Sequence, residues 1–215
     1  CFMTRKACAS VVNDVVRRSA LADVVGRNRL STDEKAMVVA CEQPFQSHIN
    51  LRLDPDDVVS LSRVDKLLGV DLPRSPNTIA SGQDFLTIWL GPDEWLLVGA
   101  RELGISIALS LRRILNTQCA AVTEVGSGQT IIRLRGSATS DLLVRGCMLD
   151  LGSTAFSPGV CAQTGLAGVP VLLVSIDSEP TIDLIVRRSF ATYLWAWIHD
   201  AGREFGLMFT RADLS

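Results

Sequence analysis

Histidine is nearly absent from this chain: two in 215 residues, His48 and His199. A Ser-His-Asp or Cys-His site would have to be built on one of them. His48 precedes a strand pattern and His199 sits on a helical surface, and neither sits near a cysteine in sequence. Aromatics are thin at 6%, with Phe 7, Trp 4 and Tyr 1, so a pocket of stacked rings is hard to assemble. The six cysteines are Cys1, Cys8, Cys41, Cys119, Cys147 and Cys161, and no two form a C-x-x-C pair. That spacing argues against a zinc site and against a disulfide scaffold, and favours reduced thiols in a cytoplasmic protein.

Sequence motifs for chemistry are missing too. There is no G-x-x-x-x-G-K-[ST] phosphate loop and no G-x-S-x-G nucleophile elbow. The glycine-rich stretch Gly126-Ser127-Gly128-Gln129-Thr130-Ile131 puts Ile131 where a dinucleotide fingerprint needs a small residue. It also precedes a strand pattern, so it reads as a tight turn. Cys147 follows Arg145 and Cys161 follows a Pro-Gly turn, but nothing supplies either with a base. Asp93 and Glu94 are adjacent in a turn, where their side chains point apart, so capping rather than catalysis is expected of them. The sequence thus offers no catalytic, cofactor-binding or metal-binding set.

The net charge is −2 and the pI about 5.7, with no basic stripe of the kind that binds nucleic acid. Residues 1–30 carry a net +4 and the remainder −6. That arm either docks on an acidic neighbour or is a solvated terminus. Arg17 and Arg18 interrupt its only apolar stretch, so no signal peptide is expected; Met3 reads as the start. Residues 151–176 lack charge for 26 residues but hold Pro158, Pro170 and four glycines. A membrane span would not tolerate those breakers, and the segment reads as a loop followed by a buried strand.

What is present is a pattern read twice. The first copy runs Ile49 to Leu53, a helix from Pro55 to Leu68, strands Phe85 to Leu90 and Trp95 to Gly99, and a helix from Glu102 to Leu115. The second runs Ile131 to Arg135, a helix from Ser137 to Arg145, strands Val169 to Ile176 and Thr181 to Val186, and a helix from Ser189 to Ala201. Gly91-Pro92-Asp93-Glu94 joins the first strand pair as a hairpin. Met37 to Cys41 adds a strand, and residues 8–25 are weakly helical. The expectation is an α+β fold with an internal two-fold repeat: an arm over residues 1–36 and one domain over 37–210, its halves about 37–116 and 119–206.

The last helix of each copy carries an outlier. Phe190, Leu194, Trp197, Ile198 and Ala201 share one face, while Trp195 falls on the other beside Thr192 and His199. On the earlier helix, Ile105 and Leu109 lie away from the Leu103, Ile107, Leu111 and Ile114 stripe. With 47% hydrophobic residues and a mean hydropathy of +0.27, some apolar surface is available for a partner. Trp195, His199, Thr192, Ile105 and Leu109 are therefore the candidate subunit interface.

Several blocks carry a family resemblance. They are Leu90-Gly91-Pro92-Asp93-Glu94-Trp95-Leu96-Leu97, residues 125–136, Arg145-Gly146-Cys147-Met148-Leu149-Asp150-Leu151, residues 156–164 and residues 187–195. Over roughly residues 37–206 the chain resembles the gamma subunit of heterotetrameric sarcosine oxidase. One departure is visible: Gly152-Ser153 stands where family members often have His-Pro. The resemblance implies a fold like the folate-binding domain of aminomethyltransferases. It implies partners, the alpha-, beta- and delta-type subunits, which would carry FAD, FMN, NAD, zinc and tetrahydrofolate. It implies a complex that oxidatively demethylates sarcosine or a related N-methyl amine, releasing hydrogen peroxide and formaldehyde or methylene-tetrahydrofolate. This chain would be its non-catalytic assembly subunit, with substrate selectivity residing in the flavin subunit. A free-standing folate-dependent one-carbon transferase is the alternative, and a membrane-associated protein is the weakest reading.

Overall fold

The computed structural model describes residues 17–25, 36–116, 119–152 and 154–210. Along the chain run α1 (Ala22–Val25), β1 (Val39–Gln43), β2 (Ser47–Leu53), α2 (Val58–Leu68), β3 (Ile79–Ser81), β4 (Phe85–Gly91), β5 (Glu94–Gly99) and α3 (Arg101–Ile114). There follow β6 (Ala120–Glu124), β7 (Gln129–Arg135), α4 (Thr139–Leu143), β8 (Cys161–Leu166), β9 (Val169–Asp177), β10 (Thr181–Arg187), α5 (Arg188–Ala201) and β11 (Met208–Thr210). The weakly helical stretch expected ahead of Arg17 lies outside the described residues.

Local chemistry sets the ends of the elements. Asp57 caps α2 by accepting from the Ser60 N–H at 3.0 Å, and its hydrogen bonding with Ser60, side chain and backbone, holds its carboxyl below the ordinary range. Pro55 therefore lies in the turn ahead of α2 and not in its first turn, as the sequence had suggested. Gly69 closes α2 at φ +67°, a left-handed conformation open to glycine. Gly126–Gly128 forms a single 3₁₀ turn running into β7, the tight turn that the sequence indicated.

The strands form two sheets, ordered β3-β4-β5-β2-β6 and β8-β9-β10-β7-β1-β11. The first five positions match element for element. In each sheet the strand before the first helix pairs antiparallel with the strand after the hairpin. The strand beyond it is exchanged: β1 precedes β2 but pairs with β7, and β6 precedes β7 but pairs with β2. The two halves thus interlock and are not cleanly separate along the chain. The corresponding strands are offset by one residue from a simple reading: Ile49 faces the helices, whereas Ile131 faces the other sheet. Leu51 and Leu53 match Ile132 and Leu134, as strand alternation requires.

Burial follows from these pleats. Ile88, Leu96 and Val98 of one sheet pack on Ile131, Cys161, Leu172, Val174 and Ile185 of the other. Outside the first sheet, α2 and α3 cover Ile49, Leu51, Trp95 and Leu97. Outside the second, α4 and α5 cover Ile132, Leu134, Leu173 and Leu184, and Leu21 joins that core. The order of layers is helices, sheet, sheet, helices. Gly104 lets α3 close on β2, since a Cβ there would meet the Ser47 Oγ at 2.3 Å.

Two expectations are corrected here. The stretch read as a loop before Val169 contains β8, which pairs with β9 from Cys161↔Val174 to Leu166↔Val169. It is an edge strand with exposed Gln163 and Gly165, so its apolar alternation is faint. Trp195, expected on an outward face, is fully buried. The reason is tertiary: Phe209 of β11 packs on it with ring centroids 4.6 Å apart, so α5 buries two faces and not one.

Candidate functional site

Two cavities are bounded by the elements that meet between the sheets. One, of about 360 Å³, lies between them and is lined by Asn50, Glu94, Gln163 and Arg187 among apolar residues such as Leu96 and Leu172. Its polar groups engage one another. Glu94 accepts from Asn50 Nδ2 and from Arg52 Nη2, each at 2.7 Å. Gln163 Nε2 donates to the Leu90 carbonyl at 2.8 Å. Glu94 is thus tied across the strands and is not a capping group, as its turn position had suggested.

The other cavity, of about 410 Å³, lies where residues 17–20, the 3₁₀ turn and the starts of α3 and α5 converge. Arg17, Arg18, Arg101 and Arg188 face Glu42 and Glu124 around it. Glu42 is buried and is held by the Leu21 N–H at 3.3 Å and the Thr130 hydroxyl at 2.9 Å. Arg188 donates to the Arg18 carbonyl, and Arg18 pairs with Asp23. The mixture of charge anchors the chain before α1 to the sheet.

Gln129 lines both cavities and links them to His48, whose Nδ1 lies 2.8 Å from the Gln129 Oε1. His48 is buried in β2 and its Nε2 has no partner among the described residues. Burial lowers its pKa from the ordinary 6.5 against the opposing effect of the Gln129 bond. A neutral imidazole could serve as a base, but among the described residues no hydroxyl, thiol or carboxyl is hydrogen-bonded to it. His199 is exposed, stacked on Phe209 at 5.6 Å and 15°.

The described cysteines Cys41, Cys119, Cys147 and Cys161 are free thiols, and only Cys119 among them is exposed. Desolvation pushes the Cys161 thiol up to about 11. Among the described residues no three His, Cys, Asp or Glu side chains gather as a metal site. No helix among them is long and apolar enough to cross a membrane. Arg133 and Asp183 form a two-pronged pair, Nε to Oδ1 at 2.6 Å and Nη2 to Oδ2 at 2.7 Å. That bond raises the guanidinium pKa. Its place on adjacent strands makes it a brace of the sheet.

Of the candidate interface residues, Ile105 and Leu109 are exposed at 70% and 58%, and Thr192 and His199 are exposed as well. They lie on helices that cover different sheets, so the structure does not bring all five together, and Trp195 is withdrawn into the core. Sequence reading missed the exposed apolar side chains of Val144, Met148 and Leu149 after α4 and of Phe190 and Tyr193 on α5. Met148 is fully exposed.

These features define an α+β protein of two packed sheets with matching strand order, cavities at their margins and exposed apolar side chains. A chain of the heterotetrameric sarcosine oxidase from Corynebacterium sp. U-96 superposes with a TM-score of 0.80 at 26% identity, over 88% of this chain and 96% of that one. The aminomethyltransferase T of the glycine cleavage system from Bartonella henselae shares the fold, with a TM-score of 0.63 at 11% identity over 82% of this chain and 48% of that one.

Sequence relatives agree. The sarcosine oxidase subunit gamma of Corynebacterium sp. strain U-96 is 28% identical over 86% of this chain and 84% of its own. That of Corynebacterium sp. strain P-1 is 28% identical over 76% and 79%. The family model described as sarcosine oxidase, gamma subunit family, matches residues 52–204, and this chain belongs to that family.

Proposed function

We propose that this chain is the gamma-type, structural subunit of a heterotetrameric sarcosine oxidase-like complex. The complex oxidatively demethylates sarcosine or a related N-methyl amine, and this subunit contributes surface and shape but no reacting group. The observation that carries this is the likeness to a chain of the heterotetrameric enzyme along nearly its whole length. In this reading FAD, FMN, NAD, zinc and tetrahydrofolate belong to the alpha-, beta- and delta-type partners. The assembly works in the cytoplasm, consistent with free thiols at Cys41, Cys147 and Cys161. The two halves act as one folding unit because β1 and β6 are exchanged between their sheets. Ile105, Leu109, Thr192 and His199 belong to partner contacts.

Co-expression with the partner subunits tests this. A yellow, flavin-containing complex that retains the chain and oxidises sarcosine or another N-methyl amine is expected, and loss of assembly without the chain. A monomeric, stable chain that never joins a flavoprotein overturns it. Tetrahydrofolate titration of the isolated chain addresses the one-carbon transferase alternative: micromolar affinity in the cavity between the sheets would favour that reading.

A further inference from the structure

We infer that the open edge of β6, with the flank of α3 above it, receives an extended apolar segment of a partner subunit as a sixth strand of that sheet. This rests on the complex proposed above and goes beyond it by naming the docking element and its chemistry.

The argument comes from comparing the two sheets. Past the exchanged strand, one sheet continues with β11 on β1, whereas the other ends at β6 among the described residues. The cause is the connection. After α5 the chain turns through Gly202–Leu207 and lays down β11 in parallel on β1. After α3 the next strand is β6, and no described strand lies beyond it in that sheet.

β11 also shows what the position takes. Phe209 plugs against Trp195 and stacks on His199, both on the flank of α5. Counted from the first residue of each helix, His199 corresponds to Arg112 and Thr192 to Ile105. Ile105, Leu109 and Arg112 form one stripe at helical spacing. Arg112 reaches the β6 edge, donating from Nη2 to the Val122 carbonyl at 2.9 Å. Trp195 corresponds to the buried Ala108, and Thr192 and Ala196, the α5 equivalents of Ile105 and Leu109, are exposed beside β11; Ile105 and Leu109 likewise lie in solvent, one step around the helix from the position that Phe209 covers.

The β6 backbone is set to pair. Val125 N–H bonds the His48 carbonyl at 2.8 Å, so Thr123 and Ala121, in phase with it, face β2. Ala120, Val122 and Glu124 turn their N–H and C=O outward. An edge left open beside exposed Ile and Leu is a template for strand addition. The Arg112 guanidinium satisfies one outward carbonyl in the free chain and gives it up to the incoming strand. An apolar side chain of that strand then covers Ile105 and Leu109.

Amide exchange followed by mass spectrometry on the 119–125 segment, in the free chain and in the purified complex, reads this directly. Exchange slowed by about tenfold or more in the complex is expected. A photo-crosslinking residue at Leu109 in the same complex should join to one extended peptide of a partner subunit. Leu109→Asp should weaken retention in the complex at least about tenfold, while Val58→Asp, at an exposed valine on α2, leaves it unchanged. Unprotected 119–125 amides in an intact complex overturn the inference while the subunit reading stands. Crosslinks only to a second copy or to this chain's own arm do the same. If no complex forms, both fail.

Discussion

The Trp195 indole lies against the Phe209 ring, centroids 4.6 Å apart and planes tilted by 34°. A three-residue strand thereby seals the helix that closes the second half. Deleting a buried aromatic loses its burial and leaves a cavity. Phe209→Ala should lower unfolding free energy by about 3 kcal/mol and shift tryptophan emission to the red as Trp195 meets water. Urea unfolding followed by fluorescence checks both. An unchanged emission maximum with an unchanged midpoint would mean that β11 does not cover α5.

Arg133 and Asp183 meet across β7 and β10 with the aspartate side chain only 5% exposed. Removing one partner strands the other in a poorly hydrated place, which costs more than losing the pair. Asp183→Asn is expected to destabilise on the order of 3 kcal/mol. The double replacement Arg133→Met with Asp183→Leu should lose clearly less. Denaturant midpoints of the three proteins form the test, and equal losses in both variants would remove the argument.

The helices α2, α3 and α5 and the strands β4, β5, β7, β9 and β10 were legible because each is long enough to show its period. The strands that were not read, β3, β6, β8 and β11, are edges or fillers of three to six residues. Their existence is decided by the neighbour they pair with, which no local pattern records. Trp195 failed for a related reason: a helical wheel assigns one buried face, and the second face of α5 is made by a strand from beyond the helix. Ile105 and Leu109 were legible because nothing among the described residues covers them. The polar ties of Glu94 and His48 were illegible, since both link residues far apart in sequence.

His48 is buried with its pKa lowered below 6.5 by desolvation. The folded state therefore holds the neutral ring, while the unfolded chain takes a proton near its ordinary value. Stability from this group is fully present above pH 6.5 and falls as pH drops toward the lowered folded-state pKa, below which the loss levels off. His48→Gln should flatten that part of the stability–pH curve. Thermal midpoints between neutral and mildly acidic pH compare the two proteins; parallel curves would assign the acid sensitivity to other groups.

The hairpin between β8 and β9 turns on Ala167 and Gly168, at φ +52° and +80°, between the paired Leu166 and Val169. Both central residues are left-handed, the geometry of a type I′ turn, which favours Asn-Gly over Ala-Gly. An alanine in that region is strained by about 1 kcal/mol, and its weak turn signature is why the hairpin was hidden in the sequence. Tyr193 donates to the Ala167 carbonyl at 3.0 Å, a backbone contact that a side-chain change leaves in place. Ala167→Asn should raise the unfolding free energy by roughly 0.5–1 kcal/mol. Ala167→Val should lower it, because a β-branched residue tolerates that conformation least. Thermal unfolding of the two variants beside the parent decides it: a valine variant at least as stable as the asparagine one would mean that the turn is not left-handed at position 167.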